Sequence, residues 1–119
     1  MVVVLIIGIL VAIAIPVFNV AKARAQTRAC YANQRTVGGG VQMWVADDEA
    51  RARGDLAGVV TGGHDLVGAH IFNEPPRCPS SPEPADPMTV DVAHGAYTID
   101  ASGRVVACIH GNPVHGLYH

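Results

Sequence analysis

The chain opens MVVVLIIGILVAIAIPVF, eighteen residues without a charged side chain, thirteen of them Val, Leu, Ile or Phe. A helix that is apolar on every side has to be covered all round, by lipid or by protein. As a helix this run spans about 27 Å, just under the ~30 Å hydrocarbon core of a bilayer. At about −0.3 to −0.6 kcal/mol for each large apolar residue, insertion is favoured by roughly 5 kcal/mol. A cleaved secretory signal would begin with a basic segment and carry an apolar stretch of only about 7 to 15 residues. This run has neither property, so it is expected to stay with the mature chain. Lys22, Arg24 and Arg28 follow it. By the positive-inside rule they would hold their own side in the cytoplasm, so an anchor with an extracytoplasmic head needs basic residues ahead of Met1.

Pro16 removes one helical hydrogen bond, which helices in a bilayer tolerate when neighbouring groups compensate. A helical pattern resumes directly after it. Val20, Ala23, Thr27, Cys30, Val37, Val41 and Trp44 recur at three- and four-residue steps, with Gln34 the one polar intrusion, and mark one apolar stripe. Gly38, Gly39 and Gly40 lie inside the stripe and weaken it by about 1 kcal/mol each relative to Ala. The phase survives them, so the spacing predicts one helix from the N-terminus to about Arg53, with Gly54 as its stop. Residues 1–18 form its hydrophobic half, 19–53 its amphipathic half, and 54–119 a small head.

The head is rich in Gly, Pro and Ala. Residues 1–53 carry six Lys/Arg against three Asp/Glu, and residues 54–119 carry two against seven, which gives the net −2. That balance does not indicate nucleic acid as a partner. Ala96–Asp100 and Arg104–Ile109 read as two strands joined by a turn ending in Gly103, where a positive φ is needed. The fold class is therefore α+β: a long N-terminal helix with a small antiparallel sheet packed on its C-terminal half. Residues 75–87 hold six of the eight prolines and predict an extended, exposed loop.

The opening run, with Gly8 inside it, the IAIP ending at Pro16 and the Ala/Lys/Arg/Asn/Gln stretch that follows, resembles the type IV pilin and pseudopilin superfamily over residues 1–37. CYANQRTV from Cys30, CPS from Cys78 and YTIDASGRVVACIHG from Tyr97 are similar to three-cysteine pilin heads. Members of that family have six further residues before the position of Met1, among them a glutamate, and a short basic leader removed by a dedicated prepilin peptidase. The resemblance thus implies that the present start lies partway through a helix. It also implies a structural role: a subunit held in the cytoplasmic membrane, then polymerised with copies of itself or related pilins by a pilus assembly machinery into a filament at the cell surface or across the periplasm. The residues expected to pack in the filament core are Val4, Leu5, Ile6, Gly8, Ile9 and Leu10, followed by Ala12, Ile13, Ala14, Ile15, Pro16 and Phe18. Gly8, Ala12 and Ala14 would admit close backbone approach, and Gly8 to Pro16 is where the resemblance implies local unwinding in a filament.

Cys78 and Cys108 flank the hairpin, and a disulfide between them would close a loop worth roughly 3 to 4 kcal/mol. Cys30, on the helix stripe, reads as a small buried hydrophobe, though its pairing with either of the others stays open. His110, His115 and His119 end the chain in HGNPVHGLYH and would be candidate ligands for zinc or nickel, but that Gly/Pro tail brings no carboxylate beside them. Asp86, Asp91 and Asp100 lie where some related pseudopilins hold calcium, yet their spacing matches no calcium loop and reads as solvated acids. No cofactor is expected. HExxH, GxSxG and a Walker lysine after the glycines are all missing, so nothing indicates an enzyme. The alternative to a filament subunit is a monomeric, membrane-anchored extracytoplasmic binding domain that uses the proline loop and histidine tail.

Overall fold

The computed structural model describes residues 1–81 and 84–106. Helix α1, Val2–Ala46, forms a rod of about 67 Å and dominates a molecule measuring 73 × 31 × 21 Å. It runs unbroken through Pro16 and through the three glycines. The apolar stripe is buried from Cys30 onward, while Val20 and Ala23 ahead of it stay exposed: Cys30, Gln34, Val37, Gly40, Val41 and Trp44 are the fully buried residues of α1. The glycines also differ from one another. A side chain on Gly39 would meet nothing within 4 Å, whereas a Cβ on Gly40 would stand 2.7 Å from the Phe72 ring. Of the three glycines, Gly40 is the one on which the head packs, with Phe72 and Ile71 filling the place of a side chain.

The helix ends at Ala46, not near Arg53. Asp47, Asp48 and Glu49 come next in the sequence, and three carboxylates at the negative end of the helix dipole disfavour further turns. Arg51 folds back instead. Its guanidinium lies 4.6 Å from the centre of the Trp44 ring, donates to the Trp44 carbonyl at 3.4 Å, and sits 3.7 Å and 3.8 Å from the Asp47 and Asp48 carboxylates. Gly54 therefore ends no helix. It lies in a 3₁₀ turn, Arg53–Leu56, where a Cβ would come 2.8 Å from the Ala101 carbonyl oxygen.

The head carries a three-stranded antiparallel sheet in the order β1 (Gly58–Val59), β2 (Thr98–Ile99), β3 (Val105–Val106). Val59 pairs with Thr98, and Thr98 with Val106. The β2–β3 hairpin forms as expected, closed by Gly103 at φ 74°. Gly103 N donates to the Asp100 carbonyl at 2.9 Å, and Asp100 N donates to the Arg104 carbonyl at 2.9 Å. A short helix α2 (Asp65–Gly68) and two 3₁₀ turns, Pro87–Thr89 and Val92–His94, complete the described head.

One core joins sheet to helix: Val37, Val41 and Trp44 of α1 meet Leu56, Val60, Leu66, Tyr97 and Ile99, with Cys30 and Cys78 at one end. The proline-rich segment departs from the exposed loop its composition predicts. Pro75, Cys78 and Pro84 are buried while residues 85–87 are exposed, and two α1 side chains grip the backbone of its first part: Asn33 Nδ2 donates to the Arg77 carbonyl at 2.9 Å and Gln26 Nε2 to the Pro79 carbonyl at 3.3 Å. Proline lacks a backbone donor but keeps its acceptor, so a proline-rich segment can still be held by side-chain amides.

Candidate functional site: the uncovered half of the long helix

From Met1 to Ala25 every residue of α1 is exposed, and the first covered positions are Gln26 and Thr27. The large apolar side chains of the run keep from 48% (Val11) to 72% (Val4) of their surface; only their own helical neighbours shade them. Leu10, Ile13, Ala14, Val17, Phe18 and Ala21 border a shallow, open apolar hollow on one face of the rod. Val2–Ala21 carries no charge and covers about 30 Å as a helix, the thickness of a hydrocarbon core. By length and composition it is able to cross a membrane. Lys22 and Arg24 stand at the end of this stretch, where long cationic side chains can reach a headgroup layer.

Magnitude settles how such a surface can exist. Full burial of thirteen large apolar side chains is worth about 20 to 40 kcal/mol at roughly 1.5 to 3 kcal/mol each, and with 48% to 72% of their surface still exposed about 10 to 25 kcal/mol of it is not realised in the single chain. A domain of this size is stabilised by only about 5 to 15 kcal/mol in total. The run therefore belongs in contact with lipid or with other helices, and bulk water is not its medium.

The predicted packing residues, from Val4 through Phe18, all lie on this bare rod. A Cβ added at Gly8 would meet nothing within 4 Å, which leaves the surface there narrow and open to another backbone. The other candidate sites are dispersed. Asp86 accepts from Met88 N at 2.9 Å at the head of one 3₁₀ turn; Asp91 accepts from His94 N at 3.0 Å and lies 2.7 Å from His94 Nδ1 at the head of the other. The Asp100 carboxylate accepts from Ser102 N, Ser102 Oγ and Arg104 N at 2.6 to 2.9 Å. These bonds hold the Asp91 and Asp100 carboxyls below the usual aspartate range, the His94 side chain dominating at Asp91 and the Ser102 hydroxyl at Asp100. Among the described residues no three His, Cys, Asp or Glu side chains converge on a point where a metal ion could sit. Cys108, His110, His115 and His119 lie outside the described residues, and with them the expected Cys78–Cys108 bridge.

One local arrangement is not visible in the sequence. The Tyr97 side chain is fully buried, and its hydroxyl lies 3.4 Å from both the Cys30 carbonyl oxygen and Cys30 Sγ. Burial and the neighbouring sulfurs push this phenol above its ordinary pKa, so it remains a proton donor.

A long apolar N-terminal helix carrying a small three-stranded antiparallel sheet on its C-terminal half is a pilin-like architecture. No protein-family model, no curated protein and no solved structure matches the chain.

Proposed function

We propose that the chain is a structural subunit of a type IV pilus-like filament, held in the cytoplasmic membrane by the bare half of α1 and then polymerised through that same surface, with the head outside the membrane. It makes and breaks no bonds of a substrate. The observation that carries the reading is the exposed rod from Met1 to Ala25, attached without a break to a packed stalk. A helix apolar on all sides can exchange lipid for neighbouring helices at little net cost, since in that setting packing, more than dehydration, drives association. Gly8, Ala12 and Ala14 leave narrow places where helices can approach closely. The partners are copies of this chain or related pilins, the membrane, an assembly machinery and a prepilin peptidase.

The test is electron microscopy of cells expressing the full chain together with a pilus assembly system. Filaments that label with an antibody to the head, and that disappear in Gly8→Trp or Ala12→Trp while the membrane-bound subunit persists, are the expected result. A chain that remains monomeric in detergent and at the cell surface, and that binds a soluble ligand through its head, would replace this reading with that of an anchored binding domain.

A further inference from the structure

Cys30 and Cys78 are far apart in sequence, yet neither has any exposed surface and both belong to the same buried cluster as Tyr97. Two hydrogen bonds set their register. Gln26 Nε2 donates to the Pro79 carbonyl and Asn33 Nδ2 to the Arg77 carbonyl. Gln26, Cys30 and Asn33 follow at i, i+4 and i+7, one above another on one face of the helix. Residues 77–79 pass that face in the opposite sense, with 79 at the level of 26 and 77 at the level of 33. Cys78 therefore crosses at the level of Cys30.

The core is consistent with this placement. The Tyr97 hydroxyl is 3.4 Å from Cys30 Sγ, and Cys78 belongs to the same buried cluster as both. The backbone of Cys78 is fixed from its other side, its N–H donating to the Gly95 carbonyl at 2.9 Å beside the Arg77–Ala96 bridge. A disulfide needs two Cβ atoms brought within about 4 Å on backbones that hold still. Here the helix supplies one and a doubly anchored segment the other.

We propose that Cys30 and Cys78 form a disulfide that staples the proline-rich segment to the helix at the end of the core nearest the bare rod. The oxidant is a disulfide, either a small molecule such as oxidised glutathione or the disulfide of an oxidoreductase. The thiolate of one cysteine attacks an oxidant sulfur, forming a mixed disulfide and releasing one oxidant thiol. The thiolate of the other then attacks the protein sulfur of that intermediate, and the second oxidant thiol leaves. Two cysteine S–H bonds are lost, one S–S bond is formed, and the two electrons reduce the oxidant disulfide to two thiols. Because both sulfurs are buried in the finished head, the exchange takes place before the core closes. The staple uses Cys78 and so excludes a Cys78–Cys108 bridge in the same molecule. It does not depend on the filament reading, only on folding in the presence of a disulfide oxidant.

The experiment is refolding of the full chain in detergent with a reduced and oxidised glutathione buffer, alkylation in denaturant without reductant, proteolysis and mass mapping. The expected product is a linked pair of peptides containing Cys30 and Cys78, lighter by two hydrogens than their sum and present equally in Cys108→Ser. Reduction should lower the melting temperature of the head by roughly 10 °C or more, and Cys30→Ser made in the Cys108→Ser background, where no second pairing is open to Cys78, should then be insensitive to reductant. Linkage of Cys78 or Cys30 to Cys108, or recovery of Cys30 and Cys78 both alkylated, would overturn the proposal. If Cys30→Ser fails to fold, the linkage found in Cys108→Ser still decides the matter.

Discussion

The two halves of α1 have the same secondary structure and opposite surroundings. From Val2 to Ala25 the helix buries nothing, while from Gln26 to Ala46 it buries one stripe under the head. The bare half is much the more apolar, 19 of its 24 residues against 10 of 21 in the covered half, and arrangement completes the distinction. Apolar residues on all sides leave no polar face for water, and that half has to find its partner outside the chain. Apolar residues on one side in three leave a polar face, and that half folds against its own head. The distinction is one of solvent: a single continuous helix is suited to two media, and the change falls at Lys22 to Gln26.

Substitutions that respond differently in the two halves test this division. Tyr97→Ala empties the centre of the head and should cost about 3 to 5 kcal/mol of head stability, read as a fall in denaturation midpoint, while flotation of the chain with lipid vesicles stays unchanged. The reverse pattern is expected for Ile13→Asp. An acid at the middle of the bare rod opposes insertion by about 2.5 to 3.5 kcal/mol, or roughly a hundredfold in membrane partition, and should leave the head's melting curve where it was. If Ile13→Asp also lowers head stability, the two halves are not independent.

The glycines sharpen the comparison within the covered half. Gly40→Leu must displace the Phe72 ring, and overpacking of this kind costs about 1 to 3 kcal/mol. Gly39→Ala, with open space around it, should instead stabilise the head by about 1 kcal/mol through helix propensity. Paired chemical denaturation curves distinguish two opposite signs one residue apart. The smallest effect is expected from acid. The folded carboxyls of Asp91 and Asp100 titrate below the ordinary aspartate value, so their contribution to stability is present above that value and fades as the pH falls through their folded pKa. Melting followed by circular dichroism from about pH 5 down to about pH 2 should show a gradual loss, and Asp100→Ala should start lower and flatten the acid limb.

Much of the fold was legible because it rests on period. Of the stripe Val20, Ala23, Thr27, Cys30, Val37, Val41 and Trp44, the last four form the buried face of α1 across three glycines while Val20 and Ala23 stay exposed, and Gly103 marks the hairpin turn by its backbone freedom. The end of the helix was less legible. Helix-forming residues continue past Ala46, and what stops the helix is the charge of Asp47, Asp48 and Glu49 with Arg51 turned back onto Trp44, a balance of electrostatics that periodicity does not register. Strand β1, two residues long, is too short to show alternation. The bare rod could be read from its apolar run alone, since its defining property is local. The meeting of Cys30, Cys78 and Tyr97 could not, because it depends on Gln26 and Asn33 reaching carbonyls more than forty positions away.

The unbroken course of α1 also makes it a shaft. Each residue of an α-helix turns its successor by about 100° and advances it about 1.5 Å, so the number of residues between Ala21 and Cys30 sets the azimuth at which the head projects from the rod. One residue inserted there would swing the head by more than a quarter turn while leaving the chemistry of both halves intact. In any array built from the rod, the outward pattern of heads is thus written in residue count, and a single-codon insertion would rotate every head on that surface together.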